Sequence, residues 1–250
     1  MASSNASTSS TVSTATPTQV SFAKRADEVN SCKSDLNDII LDYLTIEGYP
    51  CAAEKFSKEA NIKPRQVEEE IRSRHEIQNL IHRGMIQEAI EAVNNTDPEV
   101  LDRNPSLHFD LLRLQLIELI RAHNSNPISD ITPALQFAAD QLAPRAPTNS
   151  RFMEDMEKTM ALLVFPPDKL DSSLANLLDP SLRKVVAENV NVAMLVSQKS
   201  RREASIRSLV RLRAWAEEKA RSQKIELPPS MKLELDDKKQ ETTFLEPMAI

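Results

Sequence analysis

SDLNDIILDYLTIEGYPCAAEKFSKEANIKP, residues 34–64, reads as two short helices joined at a glycine. Ser34 is a good N-cap, and Leu36, Ile39, Ile40, Tyr43 and Leu44 follow at i, i+3, i+4, i+7 and i+8, a single apolar stripe on an α-helix. Gly48 ends the segment with a residue that tolerates a left-handed backbone. Pro50 opens a second helix at a first-turn position, Ala53, Phe56 and Ala60 line its apolar face, and Pro64 closes it. Helices of about three turns bury little between themselves. The reading therefore predicts that their shared apolar faces are covered by another copy or another subunit.

Working outward, apolar spacing stays helical to about residue 222 and no stretch sustains period-2 alternation, so the fold class is all-α, built of antiparallel helix pairs. Val67, Ile71, Ile77, Leu80 and Ile81 predict a helix stopping at Gly84, with Ile86, Ala89, Ile90 and Val93 on a short antiparallel return. Asp97-Pro98 and Asn104-Pro105 are start signals. After the second comes the richest apolar stretch, Leu107 to Ile120, which is apolar around most of its circumference and is expected to be the central buried helix. Ile128, Ile131, Leu135, Ala138, Ala139 and Leu142 form the next stripe. Ser150 is the expected cap of a helix with Met153, Met156, Met160, Leu163 and Val164 inward, ended by Pro166-Pro167. Asp179-Pro180 starts a helix with Leu182, Val185, Val186, Asn189, Val190, Ala193 and Met194, and a last helix carries Leu209, Val210, Leu212 and Trp215. The Ser/Thr-rich start, residues 1–33, is expected to be a disordered tail, and residues 226–250 a loosely held one.

Composition narrows the function. Two glycines in 250 residues leave no room for the dinucleotide-binding glycine pattern, the phosphate-cradling P-loop or the glycine-flanked serine of α/β-hydrolases. A net charge of −6 argues against generic nucleic-acid binding. Cys32 and Cys51 cannot build a disulfide framework or a four-thiolate zinc site, and a reducing compartment is the natural expectation. Apolar runs such as Ala161 to Phe165 fall far short of the roughly 20 residues that cross a bilayer. Neither nucleic acid nor membrane is therefore an expected partner.

Candidate chemistry is thin. His75 and His82 share a helix face two turns apart but lack the third ligand a catalytic zinc needs. Glu68, Glu69 and Glu70, like Asp236 and Asp237, sit in charge-rich surroundings and read as solvated. Cys51 near a helix start reads as a small packed residue rather than a nucleophile. No catalytic, metal or cofactor-binding residue is expected. Lys199, Arg201, Arg202, Arg207, Arg211 and Arg213 form a local basic run without aromatic interleaving, which favours a solvated or partner-facing helix surface over base stacking. Arg202, three residues before Ser205, also resembles a weak basophilic kinase site, a pattern too common to carry weight by itself.

Residues 34–66, with Leu36, Ile39-Ile40, Tyr43-Leu44, Glu47-Gly48-Tyr49, Ala52-Ala53, Phe56 and Glu59, resemble the LisH dimerisation motif. Residues 70–127, with Arg83-Gly84-Met85-Ile86-Gln87-Glu88-Ala89-Ile90 and Leu116 to Ile120, resemble the CTLH motif, and residues 128–225 the CRA region. In this order, with Ala134 to Ala138 and Glu157 to Leu163, they are similar to the glucose-induced degradation protein 8 family, LisH-CTLH-CRA scaffold subunits of the GID/CTLH E3 ubiquitin ligase. The resemblance implies a non-catalytic, cytoplasmic and nuclear scaffold that links RING subunits to the substrate-receptor module. The ligase it implies marks proteins such as gluconeogenic enzymes for proteasomal degradation. Expected partners are other LisH-CTLH-CRA subunits, including RING-bearing and Ran-binding-protein-like ones, in a homo- or hetero-oligomer. Leu36, Ile39, Ile40, Tyr43, Leu44, Ala53 and Phe56 are the expected interface anchors, and Arg201, Arg202, Arg207 and Arg211 a second partner-facing patch. The alternative is a LisH-type oligomeric adaptor in cytoskeletal or transcriptional machinery, from which residues 70–225 discriminate, since such adaptors usually continue into coiled coils or propellers.

Overall fold

A computed structural model describes residues 28, 29, 31–64, 66–125, 130–165, 170–224 and 227. Residues 1–27 of the Ser/Thr-rich start, Ile128, Pro166-Pro167, Asp236, Asp237 and the tail from 226, apart from residue 227, lie outside them. The first helices are α1 (Lys33–Ile46), α2 (Pro50–Ala60), α3 (Glu68–Arg83) and α4 (Ile86–Thr96). Next come α5 (Glu99–Arg103), α6 (Pro105–Ser125) and α7 (Thr132–Phe137), which runs on as a π-helical turn over Ala138–Leu142. Then follow α8 (Ser150–Val164), α9 (Ser172–Ala175), α10 (Ser181–Ser197) and α11 (Ser205–Ser222). No strand occurs among the described residues, and the all-α expectation holds. Residues 32–211 make one body; Leu212 onward belongs with the terminal segments as a separate unit.

The apolar circumference of α6 puts it at the centre of the body. Phe109, Leu111, Leu114, Leu116, Ile117 and Ile120 are fully buried, with α4, α5, α7, α8 and α10 packed around them. The Phe109 ring stacks on Phe152 of α8, centroids 4.2 Å apart and planes 6° from parallel. On the far side, α3 and α10 run along each other, with Ile77 and Ile81 sharing the core with Val186, Val190 and Met194. Asp97 and Asp179 cap as expected, their Oδ1 atoms accepting from the backbone N–H of Glu99 at 3.0 Å and of Ser181 at 2.8 Å.

Several local expectations shift in register. Helix α1 begins at Lys33, with Cys32 rather than Ser34 in the extended cap position, and α2 ends at left-handed Asn61 instead of at Pro64. Asn149, not Ser150, caps α8, its side chain accepting from Arg151 N at 2.9 Å. The inward face of α8 is then Phe152, Thr159 and Leu162, with Met156, Met160 and Leu163 half-buried and Met153 and Val164 exposed. In α7, Ala134, Ala138 and Leu142 face inward while Leu135 and Ala139 are exposed. The wider π turn, closed by Ala143 N on Ala138 O at 2.9 Å, rotates the later residues away from a 3.6-residue stripe.

The turn between α3 and α4 depends on Gly84 for two reasons. Its φ is +81°, where a Cβ is strained, and a Cβ there would lie 2.9 Å from the Arg183 guanidinium. That guanidinium links α10 to α6 and α3. It donates to Glu118 of α6 from Nε at 2.8 Å and Nη2 at 2.6 Å, and from Nη1 to the His82 carbonyl near the end of α3 at 3.1 Å. Arg121 pairs with the same carboxylate and donates to the Leu178 carbonyl at 3.1 Å and the Asp179 carbonyl at 2.9 Å ahead of α10. Gly84→Ala is expected to cost about 2 kcal/mol in strain, read as a lowered urea midpoint.

Candidate interaction surface

The short helices α1 and α2 have a docked side and a bare side. The last four carbonyls of a helix have no intrahelical partner, and at α1 each finds one outside it. Tyr43 O accepts from Glu47 N at 3.0 Å and Leu44 O from Tyr49 N at 2.9 Å, a wrap made possible by Gly48 at φ +84°. The other two reach the body. Thr45 O accepts from Arg74 Nη2 of α3 at 2.6 Å, and Ile46 O from Asn191 Nδ2 of α10 at 3.0 Å.

Arg74 is 0% exposed. It also donates to Gln66 Oε1 at 2.7 Å and to Gln198 Oε1 at 3.4 Å, so one guanidinium ties the ends of α1 and α10 to the segment before α3. Burial pushes its pKa down to about 10, which leaves it charged at neutral pH. Neither Arg74 nor Asn191 stands out in the sequence. A charged residue at the core-facing spacing Ile71, Arg74, Ile77, Ile81 is the one available signal for Arg74.

Docking buries Leu41, Thr45 and Ile46 of α1 and Ala53 of α2. Leu36 remains 48% exposed and Ile40 42%, while Ile39, Tyr43, Leu44 and Phe56 are half-buried. The expected anchors are thus split. Ala53 is used within the chain, Leu36 and Ile40 are bare, and the remaining four lie between. The Tyr43 and Tyr49 rings meet at 6.4 Å, and burial of Tyr43 raises its phenol above the ordinary value.

The segment entering α11 lies against α1. Ile46 packs with Leu195 and Ala204 in a small second core, with Tyr43 on its edge. Asp42 accepts from Ser205 N at 2.8 Å and pairs with Arg201, and Glu47 pairs with Arg207 at 2.9 Å. None of the residues of α11 is buried, and Ile206 and Leu209 are exposed. The two neighbouring elements therefore each leave apolar side chains uncovered. In the separate C-terminal unit, Leu212 and Trp215 are exposed as well.

The basic run is largely neutralised. Arg201, Arg207 and Arg211 pair with Asp42, Glu47 and Glu203, and within the C-terminal unit Arg213 pairs with Glu217. Arg202 is exposed and has no ion pair among the described residues. His75 is half-buried, His82 and Cys51 are exposed, and no group of three potential metal ligands occurs among the described residues. A cleft of about 120 Å³ lies beside Asp110, Arg113, Arg151 and Val185. Burial raises the Asp110 carboxyl despite the two guanidiniums nearby. No described helix is long and apolar enough to cross a membrane.

The family model described as "CTLH/CRA C-terminal to LisH motif domain" matches residues 70–221, and the LisH model matches residues 34–60. The chain is similar to "GID complex subunit 8" of Schizosaccharomyces pombe, 41% identical over 209 residues, 82% of this chain and 87% of that protein. It is similar to "Glucose-induced degradation protein 8 homolog" of Dictyostelium discoideum, 41% identical over 190 residues, 76% and 80% of the two chains. It is also similar to "Protein GID8 homolog" of Arabidopsis thaliana, 38% identical over 200 residues, 80% and 79%.

Proposed function

This chain belongs to the LisH-CTLH family of glucose-induced degradation protein 8 homologues, and from that premise we propose that it is a non-catalytic scaffold subunit of a GID-type E3 ubiquitin ligase. In this reading it links RING subunits to the substrate-receptor module, in cytoplasm and nucleus, and its complex marks proteins such as gluconeogenic enzymes for degradation. Its partners are other LisH-CTLH-CRA subunits, RING-bearing and Ran-binding-protein-like among them.

The observation that carries the reading is the bare side of a hairpin whose other side is pinned to the body. An element held rigidly, with aliphatic side chains facing outward beside the equally bare start of α11 (residues 205–211), loses little entropy when a partner covers it. Buried aliphatic and aromatic anchors carry most of an interface's binding energy. The match over residues 70–221 favours this reading over a LisH adaptor of cytoskeletal or transcriptional machinery.

Two measurements test it. Copurification of the tagged chain with mass spectrometry should recover RING-bearing subunits, and their absence would overturn the scaffold role. The double variant Leu36→Asp, Ile40→Asp should weaken self-association or partner capture by about thirtyfold, the equivalent of a hot spot worth about 2 kcal/mol. Because both residues are exposed in the isolated chain, helicity and melting temperature should hold. Capture at unchanged affinity would place the interface elsewhere.

A further inference from the structure

The junction of α1 and α11 carries a feature that scaffolding leaves unexplained. Its sequence is Arg201-Arg202-Glu203-Ala204-Ser205-Ile206, an arginine three residues before a serine. Arg202 is exposed and unpaired among the described residues, although Arg201, Arg207 and Arg211 around it are all in ion pairs. The loop from Gln198 to Ala204 is non-helical, so the residues a kinase reads before the acceptor lie outside a helix already. Only Ser205 and Ile206 belong to the first turn of α11.

Ser205 is also where the two elements are fastened. Its backbone N–H donates to Asp42 Oδ2 at 2.8 Å, and its hydroxyl accepts from Arg201, the guanidinium that pairs with Asp42 Oδ1. Asp42 is 13% exposed, so this carboxylate has little water to replace Arg201. Beyond the junction, α11 is held to α1 by the partly exposed Arg207–Glu47 pair and contributes no buried residue of its own. Presenting the serine takes a local opening in which Ala204 lifts and the Asp42 contacts break, while the rest of α11 has no buried side chain to move.

We propose that Ser205 is a phosphorylation site for a basophilic serine kinase, and that its phosphate uncouples α11 from α1. The proposal rests on the reading of the α1 and α11 surface as an interface. A nucleoside triphosphate supplies the γ-phosphoryl group: its bond to the diphosphate leaving group breaks, a P–O bond to Ser205 Oγ forms, and the hydroxyl proton passes to the kinase's base. The product places close to two negative charges beside Asp42, near Glu203 as well. Arg201 turns from the carboxylate to the phosphate, which offers stronger charge-assisted hydrogen bonds, and Asp42 is left facing an anion. The phosphate suits the N-terminus of α11, so the helix persists while its attachment to α1 is lost.

The test treats the full chain with ATP, Mg²⁺ and calcium/calmodulin-dependent kinase II activated by Ca²⁺ and calmodulin, which reads an arginine three residues before its acceptor. Mass spectrometry should find the phosphate on Ser205, Ser205→Ala should remove it, and Arg202→Gln should slow its appearance at least tenfold. In the phosphorylated chain, hydrogen–deuterium exchange over residues 42–48 and 204–210 should accelerate. Self-association or partner capture should weaken about tenfold and recover after phosphatase treatment. Phosphate appearing on Ser205 only in the heat-unfolded chain would overturn the site, and a modified Ser205 with unchanged exchange would overturn the uncoupling. If exchange rises but association stays the same, the switch is refuted as a control of assembly. An unmodified chain that neither self-associates nor captures partners refutes the interface reading, and with it that control, while the exchange measurement still decides the junction.

Discussion

Arg74→Ala should lower the free energy of unfolding by about 4 kcal/mol, combining a cavity left by a large buried side chain with a buried carbonyl that loses its donor. No part of Arg74 is exposed, and it holds Thr45 O, Gln66 and Gln198 together. Arg74→Met separates the two contributions. The methionine fills most of the space but cannot donate, and the gain from no longer burying a charge partly offsets the lost hydrogen bonds, so about 2 kcal/mol is expected. Urea denaturation gives both values from the midpoint at constant m. The location of the damage is the stronger check. Hydrogen exchange in Arg74→Met should rise first at residues 44–49, because the end of α1 is then held to the body by Asn191, a small apolar cluster and the partly exposed pairs of Asp42 and Glu47. A variant as stable as the parent would mean that the guanidinium contributes nothing net.

Phe109→Ala should cost a similar amount, about 3–5 kcal/mol, by a purely apolar route. The ring is 0% exposed in the second turn of α6 and stacks face to face on Phe152, so its loss removes contacts on all sides and leaves a void between α6 and α8. Phe109→Leu should cost less, about 1.5 kcal/mol. Both are read by urea or thermal unfolding. The contrast with the surface variants is diagnostic. Phe109→Ala should reduce partner capture only as far as it unfolds the chain, whereas Leu36→Asp, Ile40→Asp should reduce capture at full stability. Equal loss of stability in both would mean that α1 belongs to the core.

The helices themselves were legible because apolar spacing and capping residues are local. The encirclement of α6 by Leu107 to Ile120 marked the central helix, and Gly48, Gly84, Asp97 and Asp179 marked the turns. Which face of a helix turns inward was less legible. Leu135 and Val164 read as inward and lie exposed, since which side of an amphipathic helix meets the body depends on its neighbours and not on its own spacing. The half-buried position of Phe56 likewise lowers the cost of its truncation below that of a core phenylalanine.

For the candidate surface the division is sharper. The sequence by itself determined that two short amphipathic helices stand ahead of a helical body with more apolar face than they can cover between themselves, because the count and period of side chains along a helix need no knowledge of neighbours. Tertiary structure alone decided which part of that face is spent within the chain. A buried hydrogen bond such as Arg74 to Thr45, 29 residues away, or Asn191 to Ile46, 145 away, depends on where helices meet, and no local pattern encodes it. The same long-range meeting paired Arg201 and Arg207 with α1, left Arg202 without an ion pair among the described residues, and set Ser205 beside Asp42, 163 residues from it.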